Sequence, residues 1–247
     1  MPSPNANLQS TNRLLPSGKT IRQDPPDLPP MSVWNALSCT PGIGVSITDA
    51  EGRLLFVNDT AMQLFSQELE VEYRGKHIAD FHPPDFVQER LGMIAQVLNS
   101  QHPLALSHIY HGQRIASTVW PILDSRPPHN RVIVISRLIT GKECVQVENQ
   151  EIGKINTKFI DLGPLSVLTR RELEVLILLG QGINVPRTAT ILHRSPKTIQ
   201  RHKAAISEKL NLRGHAELVA LVSSLGLQLS DAHLKRLPRK LSPLKRT

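Results

Sequence analysis

Residues 168–210, LTRRELEVLILLGQGINVPRTATILHRSPKTIQRHKAAISEKL, contain the signals that decide the fold. Thr169 and Glu172 form a capping box, in which each side chain can accept a backbone N–H at the start of a helix. The apolar run that follows ends at Gly180 and Gly182, and glycine commonly ends helices. The pattern predicts a buried helix that begins just after Thr169.

Two more caps follow in the same stretch. Asn184, with Pro186 in the first turn, predicts a short second helix that reaches Leu192. After a tight turn at His193-Arg194, Ser195 and Pro196 predict a third helix that runs to about Leu210. A fourth helix is predicted at 216–225 from apolar residues at helical spacing. A short helix, a tight turn and a longer helix are typical of modules that seat a helix in a major groove.

The third helix is amphipathic. At about 100° per residue, Ile199, Ile206 and Leu210 share one face, and His202 lies at its edge, where a structural or phosphate-contacting role is expected. Glutamine can pair with adenine, arginine with guanine, and a small alanine can contact a thymine methyl group. The opposite face therefore predicts groove reading. It carries Lys197, Gln200, Arg201, Ala204 and Glu208.

These residues together resemble the LuxR/GerE-type helix-turn-helix over 165–227. The resemblance rests on residues 168–176, Gly182, Ala189, Leu192, Ser195, Thr198, Ile199, His202, Ile206, Lys209, Leu210 and Glu217. It implies an all-α module of four helices, whose third helix enters the major groove and whose fourth commonly supports dimerisation. Its implied base contacts are Gln200, Arg201 and Ala204, and its implied backbone contacts are Ser195, Thr198, Lys203 and Lys209.

Four positions depart from the usual pattern of that family: Arg187, Thr188, Arg194 and His215. Thr188 stands at a usually aliphatic buried position, where its hydroxyl needs a hydrogen-bond partner. We therefore expect weaker packing beside Thr188 and Arg194. These departures leave open an adaptor with weak or lost DNA binding.

The N-terminal part predicts an α+β domain with a five-stranded antiparallel sheet. The expected strands are 42–50, 53–57, 105–110, 114–123 and 132–138. Asn58 can cap a helix, 75–81 looks irregular, and a longer helix is expected at 86–98.

Residues 47–53 and 56–65 of this part resemble PAS domains, and the similarity covers 32–140. Such a domain senses a signal or mediates dimerisation, and fold resemblance does not decide between them. No cofactor is evident, and the ligand is unknown. Five histidines invite a haem interpretation, but none lies in the helix expected at 86–98, so we expect loop or surface positions. They are His77, His82, His102, His108 and His111.

Composition and charge divide the chain into five parts. These are a Pro-rich disordered arm at 1–31, the PAS-like domain at 32–140, a linker at 141–164, the helix-turn-helix domain at 165–227 and a basic tail at 228–247. Residues 161–227 carry nine basic and five acidic residues, and the tail carries six and one. Residues 32–140 carry eight and ten. The positive charge is therefore concentrated where phosphates would be contacted.

Several classes of function are disfavoured. Cys39 and Cys144 form no metal-ligand pattern, and no apolar run approaches the roughly 20 residues of a membrane span. No secretion signal is evident, so we expect a bacterial cytoplasmic protein at the nucleoid. The region after the PAS-like part contains no Gly-rich phosphate loop, and we expect no enzyme. The expected partners are double-stranded DNA through its major groove, a second copy of the chain and RNA polymerase.

Overall fold

The computed structural model describes residues 29–65, 72–73, 75–123, 130–139 and 152–237. Within these ranges, no helix combines the length and the apolar character needed to cross a bilayer. The expected arm at 1–31 and the end of the expected tail lie almost wholly outside the described residues, as does Cys144.

A six-stranded sheet forms the centre of the N-terminal domain, in the order β2-β1-β5-β4-β3-β6. The first five strands pair antiparallel, as predicted. The sixth strand pairs parallel to β3, so the expectation of a purely antiparallel, five-stranded sheet is corrected. The strands are β1 (Gly44–Asp49), β2 (Leu54–Val57), β3 (Leu104–Tyr110), β4 (Gln113–Ile122), β5 (Arg131–Leu138) and β6 (Gly153–Asn156).

The described part of this domain contains four helices beside the sheet. The Asn58 side chain accepts the N–H of Ala61 at 2.9 Å and that of Val45 at 2.8 Å, so it both caps α2 and holds it against β1. The expected irregular segment contains a short helix instead, because the His77 ring accepts the N–H of Ala79 and caps it. The helices are α1 (Pro30–Cys39), α2 (Asp59–Phe65), α3 (Ile78–Phe81) and α4 (Pro84–Ser100).

The C-terminal module contains the four expected helices around one apolar core. The first, third and fourth helices contribute the largest buried side chains of the four, which include Leu173, Leu176, Ile199, Ile206 and Leu218. The helices are α5 (Arg170–Gly180), α6 (Val185–Ile191), α7 (Pro196–Lys209) and α8 (His215–Leu225). The predicted bounds of these helices are therefore confirmed to within a few residues.

The expected linker and tail are structured where the structure describes them. After β6, residues Phe159–Ile160 form β7, which pairs parallel to β8 (Lys235–Arg236). A 3-10 helix, Leu229–His233, precedes β8, and we call residues 226–237 the return segment. Apolar residues too isolated to predict a strand, such as Phe159 and Ile160, become buried because distant parts of the chain cover them.

The two faces of the sheet have different coverings. His108 pairs with Ile115 and Leu106 pairs with Ser117, which places all four on the face toward α4. The next residue, Arg114, lies on the other face, which we call the outer face. There it donates to the Gly226 carbonyl oxygen at 2.7 Å and forms a buried ion pair with Asp231. The return segment thus joins the helical module to the outer face.

Candidate nucleic-acid interface and buried cavity

The α6–turn–α7 unit is fixed by its caps. The Asn184 side chain accepts the N–H of Arg187 at 2.9 Å, and the Ser195 hydroxyl accepts that of Thr198 at 3.2 Å. Between the two helices His193 adopts a φ of 51°, and the Arg194 N–H donates to the Ala189 carbonyl oxygen at 2.9 Å. Both predicted caps and the predicted tight turn are confirmed.

The two faces of α7 differ as its sequence pattern predicts. Ile199 and Ile206 are fully buried in the core of the module, and Leu210 packs against them. Gln200, Arg201 and Ala204 are exposed on the other side. The residues predicted to face DNA bases therefore lie together at the surface of a helix whose position is set by its buried face.

The predicted phosphate contacts are less uniform. Ser195 is exposed at the start of α7, and Thr198 and Lys203 are half-buried. Lys197, which belongs to the face predicted to read the groove, is exposed in the first turn. The Ser195 and Thr198 hydroxyls lie 2.8 Å apart and bond to each other.

Lys209 has a partner that its position in the helix does not reveal. Its ammonium group donates to the two carboxylate oxygens of Glu172 at 2.8 and 2.7 Å. A role for Lys209 as a phosphate contact stays a prediction. To contact a phosphate, the ammonium group would have to divide its hydrogen bonds between the phosphate and Glu172, or leave Glu172. The capping box made Glu172 visible in the sequence, but nothing local indicated its second partner.

Thr188 is fully buried on α6. Among the described residues, its hydroxyl has no hydrogen-bond partner. The expected burial of this hydroxyl is therefore confirmed, and the weaker packing expected beside it stays a prediction. Arg194, the other departure beside the turn, is exposed and donates to the adjacent His193 carbonyl oxygen at 3.0 Å.

A cavity of about 190 Å³ lies between the sheet and the helices of the N-terminal domain. Its lining is mainly apolar and aromatic, from Phe65, Phe86, Met93, Ile94 and Leu106. The polar groups that reach it include Arg90 on α4, His108 on β3 and Ser117 on β4. Pockets of this composition bind small molecules through a few oriented polar groups.

His108 corrects the expectation that the N-terminal histidines occupy loops or the surface. It lies in β3, is 5% exposed, and its Nε2 is 3.1 Å from the Ser117 hydroxyl. Burial, followed by the nearby charges of Arg90 and Arg114, holds the pKa of His108 well below its usual value, so the ring is neutral. Sequence reasoning missed this residue because alternation along β3 identifies a face but not what covers it.

His82 also reaches the cavity, and its Nδ1 lies 2.8 Å from the Tyr110 hydroxyl. Burial raises the pKa of Tyr110. The phenol therefore stays protonated and can donate to His82. Across the described residues, His, Cys, Asp and Glu side chains form no group of three that could hold a metal ion.

Comparison with known proteins identifies two domains. Residues 166–222 match the luxR family of bacterial regulatory proteins, and residues 42–143 match the PAS fold. Their order agrees with the α+β domain and the helical module seen in the structure.

Curated relatives match part of the chain. The oxygen regulatory protein NreC of Staphylococcus epidermidis is 29% identical over 106 residues, which are 40% of this chain and 49% of the relative. NreC of Staphylococcus carnosus is 43% identical over 56 residues, 23% of this chain and 26% of the relative. The chain thus spans at most about half the length of these relatives. Among solved structures, a VqmA–ligand–DNA complex of Vibrio cholerae is similar at 19% identity and a TM-score of 0.48, covering 86% of this chain and 96% of that chain.

Proposed function

Because the chain joins a PAS domain to a LuxR-type helix-turn-helix domain, we propose that it is a sequence-specific, DNA-binding transcriptional regulator. The observation that carries the proposal is the surface of α7. Gln200, Arg201 and Ala204 are exposed side by side, and the opposite face of the helix is fully buried. This combination allows a rigid helix to present side chains to base edges in a major groove.

The proposal includes a signal-receiving role for the cavity of the PAS domain. It also places the protein in the bacterial cytoplasm, as a homodimer on double-stranded DNA, with RNA polymerase as a further partner. The apolar stripe of α8 is largely used within the chain, since Leu218 and Val222 are buried and Leu221 and Leu225 pack against the same core. Any dimer contact through α8 would therefore use its remaining, more polar surface.

Selection of bound DNA from a random pool by the full-length protein tests this proposal. We expect an enriched, two-fold-related sequence with half-sites about 10 base pairs apart. Affinity for that sequence should fall linearly with salt concentration on a log–log scale, as phosphate contacts release counterions.

Gln200→Ala should reduce the enrichment, and Arg53→Ala should leave it unchanged because Arg53 is an exposed residue of the PAS domain. Absence of an enriched sequence and of any salt-dependent DNA binding would contradict the proposal. That result would favour the adaptor, an alternative that rests on the departures from the family pattern at Thr188 and Arg194.

A further inference from the structure

The size of the PAS cavity limits what it can hold. Its volume is about 190 Å³, and an apolar protein cavity of roughly 150 Å³ is known to take one benzene molecule. The aromatic side chains of Phe65 and Phe86 and the thioether of Met93 form part of the wall. These dimensions fit a molecule with a single ring, or a branched apolar group of similar size.

Arg90 brings a positive charge into this apolar space with few compensating contacts. Its side chain is 15% exposed, and its Cζ lies 4.4 Å from the centroid of the Phe86 ring. Its Nη1 donates a hydrogen bond to the Met93 sulfur at 3.4 Å. Burial lowers the pKa of Arg90 to about 10, so the guanidinium stays charged at neutral pH.

The carboxylate beside Arg90 is engaged elsewhere. Glu89 Oε2 is 4.0 Å from Arg90 Nη2, whereas the two Glu89 oxygens accept hydrogen bonds of 2.7 Å from Thr157 Oγ1 and from the Lys158 N–H. A guanidinium has five N–H donors in a planar fork that suits a carboxylate. Arg90 is therefore a largely buried cation, and among the described residues its nearest carboxylate does not bond it closely. A largely buried charge of this kind favours an anion as partner.

His108 supplies a second polar group whose hydrogen-bonding capacity is not fully used within the protein. The ring is 5% exposed, stacks on Phe65 with 5.7 Å between centroids, and lines the cavity. Its Nδ1 is buried without a hydrogen-bond partner among the described residues, whereas its Nε2 bonds to Ser117. If Ser117 donates to Nε2, the neutral ring carries its hydrogen on Nδ1 and offers it as a donor.

We propose that the PAS cavity binds a small organic monocarboxylate with a single aromatic ring or a branched apolar body, its carboxylate held by Arg90 and by His108 Nδ1. One cation and one neutral donor match a single negative charge, and the aromatic and aliphatic walls match an apolar body. The inference rests on the proposed signal-receiving role of this cavity, and its test measures ligand binding without reference to DNA.

Titration calorimetry of the full-length protein with matched acids and amides tests the charge requirement. The probes are benzoate, phenylacetate and 3-methylbutanoate, each compared with its primary amide, which has nearly the same shape and no charge. We expect at least one acid to bind roughly tenfold or more tightly than its amide, the difference that one charged hydrogen bond supplies.

Variants locate the site. Arg90→Met should abolish the preference for the acid, and Arg90→Lys, which keeps the charge, should retain part of it and guards against a folding defect in the methionine variant. His108→Phe should weaken the acid several-fold while leaving some preference over the amide. Arg53→Met, which removes an exposed arginine of the same domain, should change nothing.

The inference is overturned if no acid binds, if amides bind as tightly as acids, or if Arg90→Met retains the preference. Acid binding with normal selectivity in a protein that selects no DNA would contradict the regulator alone. DNA selection by a protein with no acid preference would contradict the ligand class alone.

Discussion

Thr188 shows how one side chain can weaken a core that is otherwise apolar. It is fully buried on α6, and among the described residues its hydroxyl has no hydrogen-bond partner. A buried polar group without a partner costs free energy on folding because water had satisfied it in the unfolded chain.

Replacing Thr188 by valine should therefore stabilise the protein. Thr188→Val keeps the shape and removes the hydroxyl, so we expect the free energy of unfolding to rise by about 1 kcal/mol in denaturant titration. Thr190→Val on the same helix is the matched control, because Thr190 is exposed and its hydroxyl bonds the Pro186 carbonyl oxygen. A loss of stability in Thr188→Val would show that the hydroxyl is satisfied in solution.

Arg201 tests whether a residue on the exposed face of α7 reads a base. Arg201→Ala should cost about 1–3 kcal/mol of binding free energy at the selected site and relax the preference at one base position. Affinities measured for all single-base variants of the site distinguish the two kinds of contact. An equal loss on every sequence would instead identify Arg201 as a phosphate contact.

At the scale of elements, α5 and α8 lie in close contact at Gly180. A Cβ added at Gly180 would lie 2.3 Å from the Val222 Cβ, well inside van der Waals contact. The sequence suggested that Gly180 ends a helix, and the structure adds that it permits this packing.

Gly180→Ala should therefore destabilise the module by about 1–3 kcal/mol, since one helix must move or strain. Gly92→Ala is the control: Gly92 lies within α4, and a Cβ there would meet no atom within 4 Å. This second change should stabilise the protein by about 0.5–1 kcal/mol, because alanine favours helix over glycine. Equal effects from the two variants in thermal unfolding would refute the close approach.

Glu172 links the start of α5 to the end of α7. Burial raises the pKa of Glu172, but hydrogen bonds from Lys209 and Thr169 and the charge of Lys209 outweigh it, so that the pKa lies below 4.5. A carboxyl group with a lowered pKa in the folded state stabilises the fold fully above its unfolded pKa, and this contribution is lost as the pH falls through the folded value.

The module should accordingly lose stability as the pH drops below 4.5. Glu172→Gln should reduce stability near neutral pH, and its deficit relative to the wild type should shrink in acid. Denaturant unfolding across that pH range measures the difference, with exposed Glu208→Gln as the control. A deficit that does not depend on pH would contradict the ionic origin of the contact.

The elements that the sequence predicted well are those encoded locally. The side chains of Thr169, Asn184 and Ser195 each accept the backbone N–H of the residue three positions further on. These caps therefore form without contacts to distant parts of the chain. By contrast, β6 forms because the edge of β3 is available, and His108 is buried because α4 and the sheet enclose it. Such features depend on long-range contacts, which a local pattern does not contain.

The exposed face of α7 could likewise be located from the sequence, since helical periodicity separates it from the buried isoleucines of the same helix. The cavity could not, because its lining combines residues from strands and helices scattered from Ser46 to Val134. The pairing of Lys209 with Glu172 has the same origin, because 37 residues separate the two.

At the scale of the whole molecule, the return segment couples the two domains. It follows α8 directly, packs against α5, and forms the ion pair between Asp231 and Arg114 on the outer face of the sheet. Strand β4 thus carries Arg114 on the face toward the return segment and Ser117 on the face toward the cavity. A change in the sheet on one side therefore has a short route to the helical module on the other, through the Arg114–Asp231 ion pair and the backbone of the return segment.

Removing one partner of the buried Arg114–Asp231 pair is expected to cost more free energy of unfolding than the intact pair contributes. Burial raises the pKa of Asp231, while the Arg114 charge and hydrogen bonds from Gln228 and Arg114 oppose this effect, so desolvation consumes much of the attraction. Leaving one partner alone in the interface exposes the full penalty of a buried charge. Removing both charges together should avoid it.

A double-mutant cycle tests this reasoning. Arg114→Met alone should lower the free energy of unfolding by about 3–5 kcal/mol, whereas adding Asp231→Asn should recover part of the loss. Asparagine keeps the oxygen that accepts the Gln228 N–H at 2.7 Å. The exposed pair of Lys235 and Asp85 provides the control, since Lys235→Met should change stability by less than about 1 kcal/mol. Additive losses in the Arg114 and Asp231 variants would mean that the two side chains act independently, and the outer face would then not be held to the return segment by this pair.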